Sequence, residues 1–384
     1  MGDCFTERCE SMPDGELISV TINDGIKKFS ELGRHDNSND DKSKYKKVCA
    51  GDIAYNSMRM WQGASGCSPY EGIVSPAYTV LTPNSGINSK CMAYQFKLPA
   101  TIHTFKINSQ GITSDNWNLK FPALSEIEIY VSPYEQEQAK IAAYFANLDH
   151  LITLHQRKYD KLQVLKKAML EKMFPKNGSS VPEIRFKGFT DAWEQRKLGE
   201  VVERITRKNE NLESTLPLTI SAQYGLINQN EFFDKRIASK DVSGYFLVRN
   251  GEFAYNKSTS SDAPWGAIKR LDSYESGVLS TLYIVFKILD ERKTSSDYIV
   301  TYYNTDLWHK GIQAIAAEGA RNHGLLNVAP ADFFETNLTM PKDYAEQQQI
   351  GSFFQQLDHL ITLHQRELEK LQNIKKSMLE KMFV

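Results

Sequence analysis

The sequence predicts an α+β chain with a pseudo-two-fold internal repeat: two globular domains separated by a pair of long antiparallel coiled-coil helices. Three observations predict it. The segment from Leu148 to Arg157 recurs without change from Leu357 to Arg366. The stretch from Glu135 to Phe174 holds no proline and no glycine. The regions ahead of the two copies carry short β-rich runs divided by turn residues.

Composition sets the limits. At roughly 150 residues per domain, 384 residues make two or three domains. With 41% hydrophobic and 24% charged residues the chain can bury real cores. The formal net charge of -1 excludes a whole-protein attraction to nucleic acid, so any such binding rests on local basic patches or a basic partner. No apolar run reaches about 18 residues, so no membrane span and no membrane partner are expected. No secretory signal precedes the first globular region. The cysteines are Cys4, Cys9, Cys49, Cys67 and Cys91, with no Cys-x-x-Cys pair. That usage argues for a reducing, cytoplasmic location and against a disulfide framework or zinc ribbon.

The first globular region covers 1–132. Its β-rich runs include Leu17–Ile22, Tyr78–Leu81 and Glu126–Val131, and 36–47 is a polar loop. The first long helix follows within 133–175, with Pro133 before it and Pro175 to stop it. Its apolar residues Ile141, Phe145, Leu148, Ile152, Tyr159, Leu162, Met169 and Met173 alternate steps of four and three, with His155 and Lys166 filling the gaps. That is a heptad seam. A parallel stripe through Tyr144, Leu151 and Leu165 widens the face. Residues 176–198 are a linker and the opening of the second half. The second globular region spans 199–341, with runs such as Leu216–Ile220 and Leu282–Phe286. The second helix lies within 342–384, its seam running through Ile350, Phe354, Leu357, Ile361, Leu368, Leu371, Met378 and Met382. Forty helical residues span roughly 60 Å and are marginal alone, so the two helices are expected to pack on each other, antiparallel. His155 and His364 sit on the seam. They suit a packed core pair better than a metal pair or a pH switch.

The globular regions echo each other more weakly. Gly51–Asn56 resembles Gly251–Asn256, and Gly72–Ser75 with Tyr78 resembles Gly277–Ser280 with Tyr283. Constant helices and diverged globular regions suggest a constant partner for the first and a variable one for the second. Loops beside these echoes hold residue types that pair with base edges and phosphates. In the first region they are Asn56, Ser57, Arg59, Trp61 and Gln62, with Asn116 and Asn118. In the second they are Lys257, Ser258 and Ser260, with Arg321, Asn322 and His323. Ordinary polar turns would use the same residues. Catalytic signatures are missing: no phosphate loop, no Gly-x-Gly-x-x-Gly, no His-Glu-x-x-His, no Asn- or Asp-Pro-Pro-aromatic tetrad and no nucleophile elbow. Pro13-Asp14 with Glu16 lacks the spacing to a lysine that a nuclease cluster needs.

These residues carry a resemblance. Tyr134–Ile141, Leu148–Arg157 and Met169–Phe174, their second copies, and Phe186–Gly199 together resemble the specificity (S) subunit of type I restriction-modification systems over essentially the whole chain. The resemblance implies that 1–132 and 199–341 are target recognition domains. Each would read one half of a bipartite, asymmetric double-stranded DNA sequence. It implies that the helices are a spacer and docking surface for two modification subunits, joined by two restriction subunits. The chain itself would be no enzyme and would bind no cofactor, with S-adenosylmethionine, ATP and Mg expected on the partner subunits. One departure stands out: nothing like Phe186–Leu198 precedes the first domain, so its N-terminus is expected to be truncated or rearranged. The competing expectation is a coiled-coil adaptor without a nucleic-acid role.

Overall fold

The computed structural model describes residues 1–22, 25–36, 38–113, 116–176, 178–221, 224–235, 237–316 and 324–383. The chain divides into two compact units, Met1–Lys158 with His364–Val384, and Tyr159–Leu363. The long helices span Glu135–Lys172 and Tyr344–Met382, and each contributes one part to each unit. The helices expected within 133–175 and 342–384 are thus each shared between the two units. In unit 2 Met173, Phe174, Ile350, Phe354 and Leu357 join the core, and in unit 1 Phe145 and Leu148 are buried.

Unit 1 is built on a four-stranded antiparallel sheet in the order Phe5–Glu7, Tyr78–Pro83, Ile53–Asn56, Ser65–Cys67. Ile53 faces Leu81 across the central pair and Tyr55 faces Thr79. Strand pairs Ile18–Thr21 with Gly25–Lys28, and Lys46–Val48 with Gly72–Val74, flank it. Short helices Ser89–Gln95 and Pro99–Ile107 cover the sheet, and Phe5, Phe96 and Phe105 fill the space between in edge-on contacts. Unit 2 repeats this plan with Val202–Ile205, Ile284–Ile288, Phe253–Asn256 and Ala267–Arg270, and with helices Ser296–Tyr302 and His309–Ile315. Its core stacks Phe253 on Phe286 at 5.3 Å.

The weak echo at Gly51 and Gly251 has a physical origin. Both glycines take positive φ (94° and 83°) to turn into the central strand, a conformation that disfavours other residues. The next residue, Asp52 or Glu252, is a buried carboxylate. It accepts a backbone N–H, from Cys49 or Arg249, at 2.8 Å and pairs with Arg8 or Arg207. A buried carboxylate needs such partners.

Inside unit 1 the start of the first helix packs antiparallel on the end of the second, through Asp149–Lys375 and the rings of Phe145 and Phe383. Inside unit 2 Lys166 pairs with Asp358, again antiparallel. Phe145, Leu148, Ile350, Phe354, Leu357 and Ile361 are buried, while Ile141, Ile152, Leu162 and Leu371 are half-buried. Tyr144, Leu151 and Leu165, the stripe expected to widen the packed face, are exposed, and so are Met378 and Met382. Glu126–Val131 is not a strand: its equivalent in unit 2, Asn337–Met340, pairs with Glu194–Lys197, whereas no described residue forms a strand pair with 126–131. All five cysteines are free. Among the described residues no helix is long and apolar enough to cross a membrane, and no group of three or more metal-ligating side chains is found.

Candidate nucleic-acid interface

In unit 1 the central strand ends at Asn56, whose Oδ1 accepts the backbone N–H of Met58 at 3.0 Å. This Asx turn throws the chain out of the sheet into 57–62. The loop is anchored at its base. The Ser57 carbonyl accepts the N–H of Leu119 (2.9 Å), which places 116–118 alongside. The backbone of Gln110 bonds that of Asn118 in both directions. Trp61 meets Trp117 edge-on at 5.2 Å, and Lys106 lies over the Trp117 ring. The far side of the loop is held by Lys97, whose ammonium donates to the carbonyls of Ile22 (2.9 Å) and Gly63. Burial, with Lys375 nearby, pushes the Lys97 ammonium down to about 8.

Unit 2 uses the same frame. Asn256 Oδ1 accepts the N–H of Ser258 at 3.0 Å, and the carbonyl of Lys257 accepts the N–H of Leu326 at 2.9 Å. Thr259 closes the joint through its N–H and hydroxyl, both of which donate to the carbonyl of Gly324. Tyr255 donates its hydroxyl to the Trp265 carbonyl at 2.8 Å. A cleft of about 260 Å³ opens between these strands, lined by Thr259, Ser260, Pro264, Trp265, Gly324 and Leu326.

The frame sorts the candidates. Arg59 and Asn116 are exposed in unit 1, as are Ser258 and Ser260 in unit 2, and Trp61 and Gln62 are half-buried. Three candidates face inward. Ser57 is buried and shares a hydrogen bond with Thr79 at 2.8 Å. Lys257 is half-buried, donates to the Val328 carbonyl at 3.4 Å and has its ammonium pushed down by burial. Asn118 is half-buried, and its Oδ1 has no hydrogen-bond partner. As placed, these side chains serve the loop base rather than its outer surface. Asn56 is a turn-maker through its Oδ1. Arg321, Asn322 and His323 lie outside the described residues. Sequence reasoning missed Lys97, Trp117, Lys106, Thr259 and Trp265. The paired tryptophans at 61 and 117, both half-buried, were a visible signal, since aromatics beside basic groups suit stacking on bases.

Residues 22–164 match the family model described as "Type I restriction modification DNA specificity domain". That stretch, which lies largely in unit 1, is similar to the type I restriction-modification specificity family. The fold agrees. It is similar to the crystal structure of the type I restriction-modification S subunit from M. genitalium, at 14% identity and TM-score 0.62, covering 100% of this chain and 94% of that one. The HsdS subunit from Thermoanaerobacter tengcongensis matches at 15% identity and TM-score 0.44, over 100% of this chain and 95% of that one. A structure from a study of assembly and conformational transition of the type I R-M system matches at 14% identity and TM-score 0.44, over 99% and 97%. No curated protein sequence matches. The family-model match supports a DNA sequence-specificity role, and the adaptor expectation is not favoured.

Proposed function

We propose that each unit reads one half of a bipartite, asymmetric double-stranded DNA target. Unit 1 reads through Arg59, Trp61, Gln62 and Asn116. Unit 2 reads through Ser258 and Ser260 and the segment that meets them at Gly324. One observation carries this reading: the two units share a backbone frame, with equivalent Asx turns at Asn56 and Asn256 and equivalent 2.9 Å joints at Leu119 and Leu326, yet present different side chains from it. A constant scaffold with variable tips suits two readers of different sequences.

The exposed apolar side chains Tyr144, Leu151, Leu154 and Leu165 on the first long helix support docking of two modification subunits, with two restriction subunits completing the assembly. S-adenosylmethionine, ATP and Mg would be held by those partners, in the cytoplasm. Catalysis is theirs too. A net charge of -1 fits a reader whose phosphate contacts are shared with a partner.

The test is a methylation map. The chain is co-expressed with its modification subunit in a host lacking adenine methylation, and the genome is sequenced for modified adenines. A split motif, two specific blocks around a fixed gap, is the expected result. A complex that assembles and yet methylates without sequence preference would refute the reading.

A further inference from the structure

The outer loop of each unit returns to the sheet beside a half-buried lysine, and the two lysines come from different places in the repeat. In unit 1 it is Lys97, the second residue beyond the helix Ser89–Gln95, with its ammonium on the carbonyls of Gly63 and Ile22. The equivalent position in unit 2, two residues beyond Ser296–Tyr302, holds Asn304. There the lysine stands on the returning strand instead: Lys269 donates to Asn304 Oδ1 at 3.0 Å. Lys269 faces Ala254 across the strand pair, and the residue that faces the equivalent Ala54 is Gly66. A Cβ on Gly66 would lie 3.2 Å from the Gly25 Cα and the Ile26 nitrogen, so unit 1 has little room for a lysine at that register. The ammonium keeps its place beside the loop while the residue that supplies it changes.

Both places are short of negative charge. Burial, and after it the charge of Lys375, pushes the Lys97 ammonium down to about 8. Burial, and after it the repeat-equivalent Lys166, pushes Lys269 down, with Asp358 offsetting part of the effect. Lys375 is already paired with Asp149, which also accepts the Tyr94 hydroxyl at 2.7 Å, and Lys166 is paired with Asp358. Each unit therefore sets two ammoniums against one carboxylate, and among the described residues no carboxylate pairs with Lys97 or Lys269. A neutral amide could donate to the same oxygens without the cost of burying a charge. A cation kept at both places, from different residues, fits an anion that completes the site.

We propose that each unit binds a backbone phosphate of its DNA half-site at this lysine pair, Lys97 with Lys375 in unit 1 and Lys269 with Lys166 in unit 2. The proposal rests on the reading of DNA by both units. The phosphate supplies the second negative charge and accepts charge-assisted hydrogen bonds. Two such contacts give a chain of net charge -1 local anchors beside its outer loops. They fix the register of the loops on the duplex and carry no sequence information themselves.

The test is the salt dependence of binding to a duplex of mixed sequence by the chain assembled with its modification subunit. Lys97→Gln and Lys269→Gln should each flatten the slope of log affinity against log salt by about 1, and the double variant by about 2. Glutamine keeps N–H donors for the oxygens that each lysine now bonds. Lys97→Arg and Lys269→Arg keep the charge and should keep the wild-type slope. Lys375→Gln and Lys166→Gln change half-buried residues on the helices and should flatten the slope too, which covers a first variant that fails to fold. Weaker binding at every salt concentration with the slope unchanged would make the lysines braces alone and overturn the proposal. So would loss of assembly with the modification subunit at an unchanged slope, which would make the anion a partner's carboxylate. A thermal shift by inorganic phosphate that the variants abolish while the slope stays unchanged would make it a free anion, and overturns the proposal as well. Failure of the DNA reading itself shows elsewhere, as a wild-type methylation map without a split motif.

Discussion

Replacing Asn256 by alanine should blur the reading of one half-site and leave the other sharp. The substitution deletes the acceptor that holds the Ser258 N–H at 3.0 Å, at the point where the central strand of unit 2 turns into its outer loop. Removing a hydrogen bond of this kind costs about 1 kcal/mol of stability. In a unit of this size that lowers the melting temperature by roughly 2–4 °C, so the protein stays folded. The loop, however, loses its exit angle. Ser258 and Ser260 sit within four residues of the turn, so their placement changes with it. Where a displaced side chain no longer reaches its base edge, discrimination at that base pair weakens by about 1–3 kcal/mol, roughly 5- to 150-fold. The assay is the methylation map of the assembled complex, compared block by block. Asn256→Ala should relax one specific block, and Asn56→Ala the other. Asn256→Ser keeps a side-chain acceptor and should fall between wild type and alanine. The reasoning fails if both variants relax the same block, or if serine is as damaging as alanine.

Other predictions concern single groups. Arg59→Ala should relax only the block that Asn56→Ala relaxes, by about 1–3 kcal/mol if the guanidinium reads a base edge; if it binds a phosphate instead, all sequences weaken alike and the salt slope drops by about 1. Phe354→Ala removes a ring buried against Phe174 and Phe353 and should cost about 3–5 kcal/mol by urea denaturation. Lys97 has its folded value lowered to about 8 from the ordinary 10.5, so across that window the unfolded chain binds the extra proton and stability rises with pH. Thermal melts of Lys97→Met should lose that rise and also loosen the 57–63 loop. His364 is also lowered, by burial, His155 and Lys158 in that order. Stability should therefore fall as pH drops below about 6.5, and His364→Gln should flatten the acid limb.

Much of this was readable because local chemistry and tertiary structure agree. The helices announced themselves through period and the absence of proline and glycine, and the strand at Tyr78 through its β-rich composition. The frame of the reading loops was visible as an Ala-Tyr-Asn echo, although nothing local marked Asn56 as a turn-maker rather than a reader. Other features depend on distant partners. Glu126–Val131 has strand composition but needs a neighbour to be a strand. Ser57 reads as a polar loop residue until Thr79, more than twenty positions away, takes its hydroxyl. Lys97 looks like any surface lysine, and only the fold brings the carbonyls of Ile22 and Gly63 to it. Met173 and Met382 are the sharpest case: equivalent residues of one hexapeptide, buried in unit 2 and exposed in unit 1, because burial depends on neighbours distant in sequence.

The concentration of identity in the helices has a physical cause in how they pair. Within unit 1 Asp149 meets Lys375, and within unit 2 their repeat equivalents, Asp358 and Lys166, meet in turn. Two like sequences packed antiparallel make every heterotypic contact twice, so one solution serves both ends. One position has no such freedom. His155 faces its own equivalent, His364, with Nδ1 to Nδ1 at 3.1 Å. Whatever stands there must complement itself. Two lysines or two aspartates would repel. A neutral imidazole carries one donor and one acceptor, so a pair can share a single proton between the facing nitrogens. Histidine thus meets the demand for self-complementarity at this position and ties the charge of His364 to helix pairing, which makes the acid limb of the stability profile a property of the repeat itself.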